Sequence, residues 1–338
     1  MNIQPIGYSI FNKQVANKPQ VTRHNQLNGD IVSFSAKKKK PPQVQINHNI
    51  DFGVSIGDEI LSKLNAGGSK EEVFSILQKR LPDVQIGSID EIANKTVNPD
   101  GFAAYFDSRL NDDFTQTDRK MYLELFPFVI ADNKQKLAQA MDIAHESTHA
   151  KQVDSGKDAS FYKKMSNGDA IYARTVIGIG KYVYERTDKF LQEKMLAPCF
   201  YDLESQMNMR RYNREIPSVA DVSRLKIIKN GGFENYNNFK EVAEAVLLYS
   251  FKEEMDYLIQ NPQYADNDIK EVLVKINNNN AFDKFFDDIK KYCSYMAMNE
   301  YEARTTECKL AKKALKTNKT LNIDCYPIYY EMLSKALK

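Results

Sequence analysis

The chain of 338 residues contains no run of 18 apolar residues, which argues against an ordinary transmembrane helix. Its opening residues carry no apolar stretch followed by a small-residue cleavage site, so no conventional secretory signal is visible and a cytoplasmic location is expected. Cysteine is scarce: Cys199, Cys293, Cys308 and Cys325 are scattered, with no CxxC pair. That spacing argues against a disulfide framework or a cysteine zinc site and predicts free, mostly buried thiols. Histidine is equally scarce, at four residues. No internal repeat occurs.

What is present is a chain with 42% hydrophobic residues, enough for one large domain or two modest ones. Charge is nearly balanced but unevenly placed. Residues 1–50 hold seven Lys/Arg against the single acid Asp30, so the formal +2 less the arm's +6 leaves about −4 for the rest. This arm is rich in Asn, Gln, Lys and Pro and ends in Lys37-Lys38-Lys39-Lys40-Pro41-Pro42, a composition that predicts disorder. The lysine run Lys37–Lys40 is suited to nucleic acid or an anionic surface, or simply to a solvated linker.

From about Asp51 the pattern becomes periodic. Asp58 to Leu64 and Ser69 to Leu81 read as helices, the second with Ser69 and Glu72 spaced for a capping box. Three strand-like runs follow: Val84 to Ile89, Gly101 to Phe106 after the turn sequence Asn98-Pro99-Asp100-Gly101, and Met121 to Ile130. Pro127 inside the third predicts an edge position or a strand end. After Gly156 the chain reads as helical, over roughly Asp169 to Leu196, Phe239 to Ile259, Asp266 to Ile276, Ala281 to Leu315 and Tyr326 to Leu337. The expected organisation is therefore an arm (1–50) and one domain (51–338). That domain divides into an α+β half at 51–156 and a helical half at 157–338.

Two of the four histidines stand in His145-Glu146-Ser147-Thr148-His149, an HExxH motif. The surrounding stretch from Asn133 to Val153 has neither Pro nor Gly, and Asp132 is placed to cap it. Leu137, Ala140, Met141, Ala144 and Thr148 form its apolar stripe, with both histidines on the shoulder. Positions four apart lie one turn apart on the same helix face, so both imidazoles can reach one ion while Glu146 stands beside it. An ordinary amphipathic helix with two half-exposed histidines is the bland alternative.

A small set of strands leading into an HExxH helix, followed by a helical half, resembles the zincin metallopeptidases over about residues 84–310. The resemblance implies an α+β fold with a small sheet packed on the HExxH helix, whose edge strand pairs with extended substrate. It further implies zinc bound by His145 and His149, with Glu146 as the catalytic base of peptide hydrolysis. A catalytic zinc site takes three protein ligands. No histidine follows His149, and Gln152 and Ser155 stand where the pattern HExxHxxGxxH needs Gly and His. His24 and His48 lie in or beside the arm. The third ligand is thus expected to be a downstream carboxylate, as in gluzincin-like zincins.

Glu300 is the best placed candidate. Phe282, Phe286, Ile289, Cys293 and Met296 form a stripe whose next positions are Glu300, Ala303 and Glu307, whereas Glu302 projects off it towards solvent. Glu300 followed by Ala303 also resembles the ExxA pattern of gluzincin-like families, although Arg304 stands where several of them have Asp. Glu307 is then expected to support a ligand histidine, and both Glu307 and Glu244 stay open as rival ligands. With no histidine left, a donor to the reacting carbonyl would be Arg304 or a tyrosine. The competing functional class is a non-catalytic helical interaction protein acting through its basic arm.

Overall fold

The computed structural model describes residues 48–88, 104–123, 133–191, 239–265, 267–278, 281–317 and 327–338. Most of the arm, with Lys37–Lys40 and His24, lies outside them, as do Asp132, Pro127, Cys199 and Cys325. Nine α-helices and one three-stranded sheet are present among the described residues, an α+β arrangement dominated by helix. In chain order these are α1 (His48–Asn65), α2 (Lys70–Arg80), β1 (Gln85–Ser88), β2 (Ala104–Leu110), β3 (Gln116–Leu123) and α3 (Asn133–Asp154). They are followed by α4 (Lys157–Met165), α5 (Ala170–Leu191), α6 (Phe239–Gln260), α7 (Asn267–Asn278), α8 (Phe282–Thr317) and α9 (Pro327–Ala336). None of the described helices is long and apolar enough to cross a membrane.

The Ser69 capping box forms: the Ser69 hydroxyl accepts from the Glu72 N–H at 3.3 Å, and Glu72 Oε2 accepts from the Ser69 N–H at 2.8 Å. Helix α1 is longer than the expected Asp58–Leu64 segment. Gly53 and Gly57 hide it from propensity, yet Ile50, Gly53, Ile56, Gly57, Ile60 and Leu64 are buried at helical spacing. His48 opens this helix and is exposed.

The sheet has the order β1-β3-β2, with β1 parallel and β2 antiparallel to β3. Of the two expectations for the third strand, an edge position or a strand end at Pro127, the edge position is not met, and Pro127 itself lies outside the described residues. The strand starts earlier, in the polar stretch from Gln116, and runs down the middle of the sheet. Its partner β2 extends to Leu110, and the two form a hairpin across Asn111–Thr115. There Asp113 Oδ1 accepts from the Thr115 N–H at 2.9 Å, while Phe114 takes a positive φ of 66°. Met121 and Leu123 on β3 are fully buried in one cluster with Leu137, Ala140 and Ile143 of α3. The sheet therefore rests on the HExxH helix, with β2 and β3 both in contact with it.

Two apolar clusters make up the interior. One joins α1, α2, the sheet and α3; the other joins α4 to α9 with the tip of the β2–β3 hairpin. Helix α8, 36 residues and so about 54 Å long, enters both. Phe285, Ile289, Tyr292, Cys293 and Ala297 belong to the helical cluster, and Leu310 and Ala311 to the other. The stretch between them, Glu300 to Glu307, lies where α8 crosses α3. Cys293 is a free buried thiol, as expected, but Cys308 is disulfide-bonded. Spacing along the chain does not disclose such a bond, because pairing depends on which Cα atoms the fold brings within reach.

Candidate metal centre

The helix carrying the motif matches its expected span to within a residue, and Leu137, Ala140, Met141, Ala144 and Thr148 all lie buried. Small residues bring its neighbours close. A Cβ added at Gly53 of α1 would sit 2.7 Å from the Ala144 carbonyl oxygen and 2.8 Å from Thr306 Cγ2. One added at Gly57 would lie 2.9 Å from Ala144 Cβ. Across the α3–α8 seam, Thr148 Oγ1 and Thr306 Oγ1 are hydrogen-bonded at 2.9 Å, and Ala303 is fully buried.

This seam brings three donors together. His145 Nε2 and His149 Nε2 are 3.1 Å apart. Glu300 Oε2 lies 3.4 Å from the first and Glu300 Oε1 3.3 Å from the second. A tetrahedral ion with bonds near 2.0–2.1 Å requires donor separations of about 3.3 Å, close to each of these pairs, with the two histidines meeting different oxygens of Glu300. The group is buried or half-buried and can hold a metal ion. Glu300 is thus the carboxylate that joins the histidines. The rival Glu244 is ion-paired with Lys290 instead, and Glu307 sits behind His145.

The nitrogens facing away from this point are also engaged. His145 Nδ1 is 2.7 Å from Glu307 Oε1, off the hydrogen-bond axis, so charge and proximity hold this contact. Arg304 Nη1 donates to both oxygens of Glu307, at 2.9 and 3.2 Å. Arg304 is thereby committed to Glu307, which removes it as an obvious donor to a reacting carbonyl. Tyr295 is likewise committed, through its hydroxyl, to Asp158. His149 Nδ1 is 2.8 Å from Gln152 Oε1. Glu302 does not reach into solvent as expected: it accepts from Gln152 Nε2 and from Asn49 Nδ2, each at 3.1 Å. Sequence reasoning missed Gln152, Glu302 and Asn49. Only the small-residue spacing Gly53-x-x-x-Gly57 hinted that α1 approaches another helix closely.

Electrostatics follow from this crowding. Burial opposes a charged His145, but Glu307 and Glu300 overcome it and raise its pKa to about 10 in the metal-free protein. His149 is raised too, against its own burial, by Glu300. Burial likewise opposes the charge on Glu300, yet the two imidazoles hold its carboxyl well below the usual range. Asp142, one turn before His145, is pushed up to about 7 by burial and by Glu307. Glu146 is half-buried and has no hydrogen-bond or ion-pair partner among the described residues.

No family model matches this chain, and no curated protein or solved structure does.

Proposed function

We propose that the protein is a zinc-dependent metallopeptidase of the zincin kind, with His145, His149 and Glu300 as ligands and Glu146 as general base. The observation that carries this reading is the convergence, from two helices, of two imidazole nitrogens 3.1 Å apart with the Glu300 carboxylate, one oxygen 3.4 Å from His145 and the other 3.3 Å from His149, beside Glu146, which has no hydrogen-bond or ion-pair partner among the described residues. A zinc ion held there supplies Lewis acidity, which acidifies water and polarises a carbonyl oxygen. The chain's own groups do the rest. Glu146 takes a proton at its carboxylate as water attacks the scissile carbonyl carbon, then gives it to the leaving amine nitrogen. Glu307 and Gln152 hold the two rings with Nε2 facing inward. Strand β2 pairs on one side only among the described residues and touches α3. Its other edge suits an extended peptide or protein substrate.

The test is metal content per chain, without added zinc, for wild type and Glu300→Ala, together with hydrolysis of a mixed peptide library. About one zinc in wild type, sharply reduced in the variant, with chelator-sensitive cleavage, is the expected result. A wild-type chain that takes up no zinc would refute the reading.

A further inference from the structure

We infer that Gln152 is the positioning residue for His149, and that it works through Glu302 and Asn49, which makes α1 part of the metal centre. The inference rests on the metal-site reading above and deepens it. A ligand imidazole is useful only if its inward nitrogen carries a lone pair, so its outward nitrogen must be the N–H, held by an acceptor. For His145 the outward Nδ1 faces the charged Glu307 at 2.7 Å, held there by charge and proximity. For His149 the partner is a neutral amide, which could in principle present either its oxygen or its NH₂ group.

The surroundings of Gln152 decide which. Its Nε2 faces the Asn299 carbonyl oxygen and Glu302 Oε2, each at 3.1 Å, and neither of these can donate. The NH₂ end must therefore point at α8 and the oxygen at His149, 2.8 Å away. The side chain is 2% exposed, so water does not offer an alternative partner. Glu302 is itself held by Asn49 Nδ2 at 3.1 Å, with Lys157 Nζ 3.9 Å from its other oxygen. Every hydrogen bond in this series runs one way: His149 donates to Gln152, while Gln152 and Asn49 donate to Glu302. The carboxylate thus fixes the amide, and the amide fixes the tautomer of the ligand.

The directionality makes a swap experiment decisive. Zinc affinity is measured by competition with a chromophoric chelator, and melting of the metal-free proteins reports folding separately. Gln152→Ala is expected to weaken zinc binding about 10- to 100-fold. Gln152→Glu sets a second carboxylate against Glu302 and is expected to be at least as weak. Combining Gln152→Glu with Glu302→Gln restores a donor facing an acceptor and is expected to recover about tenfold. Wild-type affinity in Gln152→Ala, or a double variant no tighter than Gln152→Glu, would overturn the assignment. A purely structural role would lower the melting temperature of the metal-free single variants without recovery of affinity in the swap. Wild type binding no zinc would instead overturn the metal-site reading itself.

Discussion

The packing of α1 on α3 and α8 can be tested by one methyl group placed at two glycines. At Gly53, a Cβ would stand 2.7 Å from the Ala144 carbonyl oxygen and 2.8 Å from Thr306 Cγ2, and closer still to Thr148 Oγ1. One obstacle is backbone and another is a hydroxyl engaged with Thr306, so α1 must retreat rather than a side chain rotate. Overpacking of this kind costs about 1–3 kcal/mol, and the backbone obstacle places Gly53→Ala near the upper end. Replacing a helical glycine by alanine returns about 0.5–1 kcal/mol, leaving a net loss of about 2 kcal/mol. At Gly178 in α5 the nearest atom is Ile269 Cδ1 at 3.7 Å, an ordinary contact. The same substitution there keeps only the helix gain. With about 2 °C per kcal/mol in a protein of this size, calorimetry should record a fall of about 4 °C for Gly53→Ala. For Gly178→Ala it should record a rise of about 1–2 °C. Retreat of α1 also carries Asn49 away from Glu302, so zinc binding should weaken in the first variant and stay unchanged in the second. If Gly53→Ala melts at or above wild type, the close approach of α1 is wrong, and the link from α1 to the metal centre goes with it.

Further outcomes follow from the same geometry. Glu146→Gln should keep its zinc and lose nearly all hydrolysis, read from metal content and single-turnover cleavage; retained cleavage would remove Glu146 as the base. Zinc affinity should rise with pH, by up to about tenfold per unit for each proton displaced, between the ordinary histidine value near 6.5 and about 10. The sign follows from His145: its folded-state pKa is raised, so below that value the ion must expel a proton that Glu307 and Glu300 retain. Chelator competition at three pH values checks it, and a flat profile would contradict the charge pairing. The same raised pKa stabilises the metal-free fold at low pH, a contribution lost as pH rises through about 10. Ser69→Ala removes the capping box of α2 and should cost about 1 kcal/mol in denaturant unfolding while leaving zinc uptake intact.

Local pattern determined much of this protein. The HExxH helix, the capping box of α2 and most helices of the second half follow from side-chain spacing at three and four residues, which burial on one face enforces within a single element. Even Glu300 was legible, because a carboxylate on the apolar stripe of α8 requires compensation. What spacing could not disclose is what meets across the fold. Gln152 and Glu302 are 150 residues apart, and their partnership exists only because α8 crosses α3. The same crossing turned Glu302 inward, whereas Arg304 pairs with Glu307 one turn on in α8 and Glu244 pairs with Lys290 where α6 meets α8. Helix α1 was obscured by Gly53 and Gly57, the residues that let it approach, since a glycine weakens a helix by itself and is repaid only by the close contact it permits. The central position of β3 was hidden for a related reason: its polar first half is strand because β2 pairs with it, and β1 joins only along Lys120–Leu123. Elements are chosen by short-range periodicity. The cluster of His145, His149 and Glu300 is made by long-range packing, which no single stretch of sequence contains.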